Sequence, residues 1–177
     1  LRDADLTAAI GYAGAVLFFT LAFGIGMAIA ASALVSRAVG MGDLAQARAK
    51  ATAVLWCGIA FGSIFAGAMW VNLPFLVGLL GPSGRTLEQA VHYLRIVLPT
   101  LPLLMVGMIG GAILRSHGDA RRAMMATIYG GVVNAVLDPV LIFGLGLDLT
   151  GAAIATLIAR LVIAATALLP IIRHYGG

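Results

Sequence analysis

The chain has 177 residues, of which 62% are hydrophobic and 10% charged, with a formal charge of +4. Soluble domains carry about 25% charged residues, and a soluble core cannot hide this much apolar surface. Composition therefore excludes an ordinary soluble domain, and without a basic stripe interleaved with aromatics nucleic acid is not an expected partner.

A helix needs about 20 mostly apolar residues to cross a bilayer. Leu6 to Ser36 is free of charge over 31 residues, Ala51 to Gly84 over 34 and Ile96 to Leu114 over 19. Ala123 to Leu147 and Leu149 to Ile172 are apolar apart from Asp138 and Arg160. The expected fold is all-α, a polytopic transmembrane bundle forming one domain over 1–177, with crossings near 6–36, 51–80, 89–114, 120–147 and 150–172. The chain starts at Leu1 without methionine or a signal-peptide pattern, so a preceding segment is expected. The single cysteine, Cys57, rules out an internal disulfide and a cysteine metal cluster.

The first crossing carries Gly24, Gly26, Ala28, Ala30 and Ser32 at spacings that let helices approach closely in lipid. The loop after it offers a glycine stop and Asp43 as a cap for the next helix. Asn72 and Pro74 in the second crossing, and Pro99 and Pro102 in the third, predict kinks, since proline removes a backbone donor. Between these crossings, Gln89, His92, Tyr93 and Arg95 read as interfacial anchors. The next loop, LRSHGDARRAMMA, echoes the first in its Arg, Gly, Asp and Arg order. A generic stop and cap explain that echo as well as an internal repeat does.

Basic residues near crossings collect on the cytoplasmic side. One set of loops holds Arg37, Arg48, Lys50, Arg115, Arg121, Arg122 and Arg173 against Asp43 and Asp119. The opposite set holds Arg2 and Arg85, with Arg95 just inside a crossing, against Asp3, Asp5, Glu88 and Asp148. The start is thus expected outside, the end inside, and the location a cytoplasmic (inner) membrane crossed several times.

Chemistry concentrates in NAVLDPVLIFGLGLDLTGAAIATLIAR. Asn134 and Asp138 are four apart, on one helix face. Asp138 precedes the turn at Asp148 by ten residues and Thr156 follows it by eight, depths of roughly 15 and 12 Å at about 1.5 Å per residue. Pro139 leaves the carbonyl of Ala135 without its usual helix donor. A carboxylate, an amide, a hydroxyl and a loose carbonyl are hard oxygen donors that suit H⁺ or Na⁺ rather than a transition metal. Asn134, Asp138 and Thr156 are the candidate cation ligands, since ionisable groups within a membrane mark ion pathways. Arg160, one turn beyond Thr156, offers an alternative: an ion pair with Asp138 that pins two helices or tunes the carboxylate. The methionines, among them Met27, Met69, Met105, Met108, Met124 and Met125, suit either a drug cavity or plain packing. With no nucleophile–base pair, P-loop or HExxH, an enzyme is not expected, nor a cofactor beyond the coupling ion.

The runs RAVGMGDLAQAR, LRSHGDARRAMMATIYGGVVNAVLDPVLIFGLG and TGAAIATLIAR resemble the amino-terminal lobe of the MATE family, the multidrug and toxic compound extrusion transporters. The resemblance implies five helices of a six-helix lobe in a twelve-helix antiporter that exports drugs and organic cations by alternating access, driven by H⁺ or Na⁺. It implies a bilayer, a small-molecule substrate, a missing first helix and a carboxy-terminal lobe as partners. In the branch it most resembles, the cation-binding asparagine, aspartate and threonine match Asn134, Asp138 and Thr156, whereas the acidic residue of the family's first helix has no counterpart. Alternatives are a lipid-linked or polysaccharide flippase of the same superfamily, or a structural membrane subunit.

Overall fold

The computed structural model describes residues 2–81 and 84–175. The Leu1 start, the Pro82–Ser83 tip of one loop, Gly176, Gly177 and the side chains of Arg2, Asp3, Asp5 and Leu6 lie outside the described residues. Of the described residues 92% are helical and none lies in a strand. Seven helices follow in order: α1 (Arg2–Gly40), α2 (Leu44–Val71), α3 (Leu73–Gly78), α4 (Gly84–Val97), α5 (Leu101–Ser116), α6 (Ala120–Pro139) and α7 (Asp148–Pro170). A 3-10 turn, Leu98–Thr100, joins α4 to α5, and π turns extend α6 (Val140–Gly144) and α7 (Ile171–Tyr175).

Five stretches are long and apolar enough to cross a membrane: Thr7–Gly40, Leu44–Val71, Gly84–Ser116, Ala120–Gly144 and Asp148–Tyr175. The all-α transmembrane bundle read from the sequence is therefore the observed fold. Several helices run past the charge-free segments, because a helix leaving lipid has no need of apolar residues. Thus α1 continues beyond Arg37 and α2 begins before Arg48 and Lys50. The second crossing stops short of the expected residue 80, at Val71. There the Asn72 side chain donates to the Ala68 carbonyl (2.9 Å), and Pro74 starts the separate helix α3.

The two loops at the basic end share one turn. Gly42 (φ 74°) and Gly118 (φ 79°) take the left-handed conformation that favours glycine, ending α1 and α5. The following aspartates cap the next helices, Asp43 accepting from the Gln46 N–H (2.9 Å) and Asp119 from that of Arg122 (3.2 Å). Ser36 donates to Ser116 (3.0 Å), tying the ends of α1 and α5 together at this end of the bundle.

The core forms around α5, which packs against α1, α2, α6 and α7. Where α5 meets α7, a methyl on Gly107 would lie 2.8 Å from Ile163 and one on Gly110 3.2 Å from Ala167. These glycines therefore set the close approach, and in lipid such packing does the work that exclusion of water does elsewhere. Val35, Met105, Ile109 and Ile113 fill one cluster, and Leu73, Val77, Leu94 and Leu98 the other, where α3 and α4 meet α1. Phe23 of α1 stacks on Phe61 and Phe65 of α2, with ring centres 4.8 and 5.8 Å apart.

Candidate functional site

Helices α6 and α7 form an antiparallel hairpin. Its turn holds Gly146 (φ 66°) and Asp148, whose φ of 49° is uncommon for a residue with a side chain. A methyl on Gly130 would overlap Ile163, and one on Gly151 would lie 2.8 Å from the backbone of Leu141. With Gly130 opposite Ile163 and Gly151 opposite Leu141, Thr156 falls level with Val136, midway between Asn134 and Asp138.

Asn134 and Asp138 come together as their spacing implies. With the amide oriented to satisfy its hydrogen bonds, its nitrogen donates to both Asp138 carboxylate oxygens, at 3.2 and 3.3 Å. Both residues are half-buried. Pro139 follows at once, and the helix rewinds into a π turn in which the Leu145 N–H donates to the Val140 carbonyl (3.0 Å). Single π turns within α-helices recur at functional sites. The carboxylate thus sits on the last regular turn before the irregularity.

Thr156 shares the depth but not the hydrogen bonding. Its hydroxyl donates to the Ala152 carbonyl of its own helix (3.0 Å), leaving its oxygen lone pairs open. The ion pair weighed for Arg160 and Asp138 does not form. The Arg160 guanidinium donates to the Thr100 hydroxyl (2.6 Å), because α7 turns this side chain toward the α4–α5 junction rather than toward α6. Thr100 is 2% exposed and passes its own proton to the Val97 carbonyl, so it is free to accept from arginine. Sequence reading passed over Thr100, and its one signal was a lone hydroxyl between Pro99 and Pro102 in an apolar run.

The methionines do not gather into one cavity. Met105 is fully buried, Met108 lines a cleft of about 290 Å³ between α1, α5, α6 and α7, Met69 one of about 310 Å³ and Met125 a third. At the end opposite the basic loops, His92 pairs with the Thr150 hydroxyl (2.9 Å), and the Trp70 indole donates to the Arg95 carbonyl (3.1 Å). These contacts tie α4 to α7 and to α2.

At the basic end a second polar cluster surrounds Asp119. The Arg122 guanidinium reaches its carboxylate at 2.7 Å and the Tyr175 hydroxyl donates to it at 3.2 Å, while the Tyr175 ring lies 4.3 Å from that of His117. Burial pushes the Asp119 carboxyl up, but the bonds from Arg122 and Tyr175 outweigh it and hold the group below its ordinary range.

Comparison with known proteins agrees with this architecture. The family model described as MatE matches residues 2–140. A FAD transporter of Shewanella oneidensis is 34% identical over 177 residues, covering 96% of this chain and 39% of that protein. The solved structure of a multidrug resistance MATE family transporter of the MOP superfamily in its inward-facing conformation superposes with a TM-score of 0.89 at 30% identity, over 93% of this chain and 37% of that one. An outward-facing structure of a transporter so described gives 0.91 at 29% identity, over 97% and 38%. The chain thus spans well under half the length of the proteins it matches.

Proposed function

The chain belongs to the MatE family of membrane transporters, and from that premise we propose that it works within the amino-terminal lobe of a cation-coupled antiporter. That antiporter exports drugs and organic cations across the cytoplasmic membrane by alternating access, driven by H⁺ or Na⁺. Members of this family are transporters and not enzymes. The observation that carries the reading is the bonded pair of Asn134 and Asp138, half-buried within a membrane-length helix beside a proline and a π turn.

The Asn134 amide nitrogen stabilises the Asp138 carboxylate by donating to both of its oxygens. Rotating that amide presents its oxygen instead, so Asn134 can accept a hydrogen bond from a protonated Asp138 or join Asp138 and Thr156 around Na⁺. A site near mid-membrane is reached from either side as the lobes rock. The similar superpositions on inward- and outward-facing relatives support a lobe that moves as one body. The reading of Asp138 as a structural pin loses support, since Arg160 bonds Thr100 instead.

The test is gradient-driven ethidium efflux by the full-length transporter in proteoliposomes. Asp138→Asn is expected to abolish coupling to an imposed Na⁺ or pH gradient while membrane insertion is unchanged. Efflux that still follows the gradient in this variant would sink the reading.

A further inference from the structure

The roomiest of the clefts described, about 660 Å³, lies in the seam between α6 and α7 at the basic end. It opens away from the candidate cation site. Arg121, Met125 and Tyr129 recur every four residues along one stripe of α6, opposite the stripe of Thr127, Asn134 and Asp138. Thr166 and Leu169 form the α7 wall.

The lining is ordered along the helix axis. Charge stands at the rim with Arg121 and Arg122, and about 12 Å further along lies Tyr129. Between them Met125 and Ala126 present an apolar surface, and in this chain Tyr129 is 47% exposed and Leu169 48%. Arg121 makes no hydrogen bond or ion pair among the described residues. Arg122 bonds Asp119 through one nitrogen and lies beside the Tyr175 hydroxyl, and its side chain is 47% exposed. The Asp119 carboxylate also borders the cleft, but Arg122 and Tyr175 already hold it, so the rim keeps a net positive charge.

A positive rim over an apolar trough, at the level where a bilayer changes from headgroup to hydrocarbon, matches one kind of molecule. We propose that this cleft binds an anionic phospholipid, its phosphate between Arg121 and Arg122 and an acyl chain along Met125, Tyr129 and Leu169. Basic pockets between membrane helices on the cytoplasmic side recognise such headgroups. A free phosphate would leave the trough empty, and a zwitterionic lipid would leave the arginines unmatched.

The test is native mass spectrometry of the delipidated full-length transporter, titrated with phosphatidylglycerol or with phosphatidylcholine of the same chains. Phosphatidylglycerol is expected to bind more tightly, and Arg121→Gln to weaken it about fivefold without changing phosphatidylcholine binding. Should an arginine variant fold poorly, Leu169→Trp fills the trough with every charge kept and is expected to expel the lipid. Equal binding of the two lipids, preference unmoved by Arg121→Gln, or full displacement by inorganic phosphate would overturn the proposal. So would dimer formation through this face without a lipid adduct. Asp138→Asn should leave lipid binding intact, so this test and that of cation coupling fail separately.

Discussion

In the span Gly84–Ser116, 67% of the residues in its most apolar stretch are buried, whereas in the neighbouring span Ala120–Gly144 only 11% are. Both are apolar enough to cross a membrane, so hydropathy alone does not separate them. Lipid tails are as apolar as leucine, and a helix wrapped by protein needs no more hydrophobicity than one wrapped by lipid. The two differ in what they do with their surfaces. Buried α5 gives its sides to close contact, with Gly107 and Gly110 against α7 and Ile109 against α2. The less buried α6 packs against α7 and more thinly against α5, and carries polar side chains, Asn134 and Asp138 on one side and the arginines on another. One helix holds the bundle together and the other carries the residues of the proposed cation and lipid sites.

That contrast breaks first if equal truncations cost the same in both helices. Ile109 is fully buried and faces Gly58, so Ile109→Ala leaves a cavity worth about 2–5 kcal/mol, nearer the lower figure in lipid because the transfer part is small. Val136 of α6 is 58% exposed, and Val136→Ala is expected to stay within about 0.5 kcal/mol. Reversible unfolding in mixed micelles, followed by circular dichroism, measures both.

The next effect reverses the order of the helices, because it concerns transport. Asn134→Ala takes away the amide that bonds both oxygens of Asp138. Hydrogen bonds to charged groups contribute about 1.5–3 kcal/mol, so the cation concentration that half-saturates efflux should shift by about 10- to 100-fold. Unfolding of the same variant should move by less than about 1 kcal/mol, since the site is half-exposed. A variant that loses stability but keeps its cation dependence would make the pair a strut.

Gly151→Ala sharpens the comparison within the hairpin. Its methyl would meet the Leu141 backbone at 2.8 Å, and backbone cannot rotate away as a side chain can. A cost of about 1–3 kcal/mol is expected in the same unfolding titration. Gly26→Ala in α1 meets nothing within 4 Å and should be neutral or slightly stabilising. Equal costs would remove the close-contact account of the hairpin.

Much of this was legible in the residues because it is local. Charge-free runs marked five membrane-length helices, Gly-Asp pairs marked the turns, and a four-residue spacing placed Asn134 beside Asp138. What escaped depends on neighbours distant in sequence. The sequence offers an Arg160–Asp138 pair only as an alternative within the hairpin, and the observed partner, Thr100, is 60 residues away and is presented by the 3-10 turn at Pro99. Proline predicts a lost backbone bond at 139 but not the π turn that follows, which lies where Leu141 packs against Gly151. The bond from Tyr175 to Asp119 joins the end of one crossing to the start of another, and no motif announces it.

The smallest effect sits where the two helices meet, at Asp119 between α5 and α6. Asp119→Ala removes the cap of α6 together with the contacts to Arg122 and Tyr175, and a lost cap costs about 1 kcal/mol. The native carboxyl titrates below its ordinary value of 3.8, so the unfolded chain takes up the proton first as pH falls. Its contribution is therefore fully present above about pH 4 and fades as the pH drops through the lower native value. The difference in unfolding free energy between wild type and variant should stay flat from neutral pH down to about 5 and narrow only in stronger acid. A gap that closes well above pH 5 instead would take the effect away from the Asp119 carboxylate and with it the account of the α5–α6 turn as held by its cap.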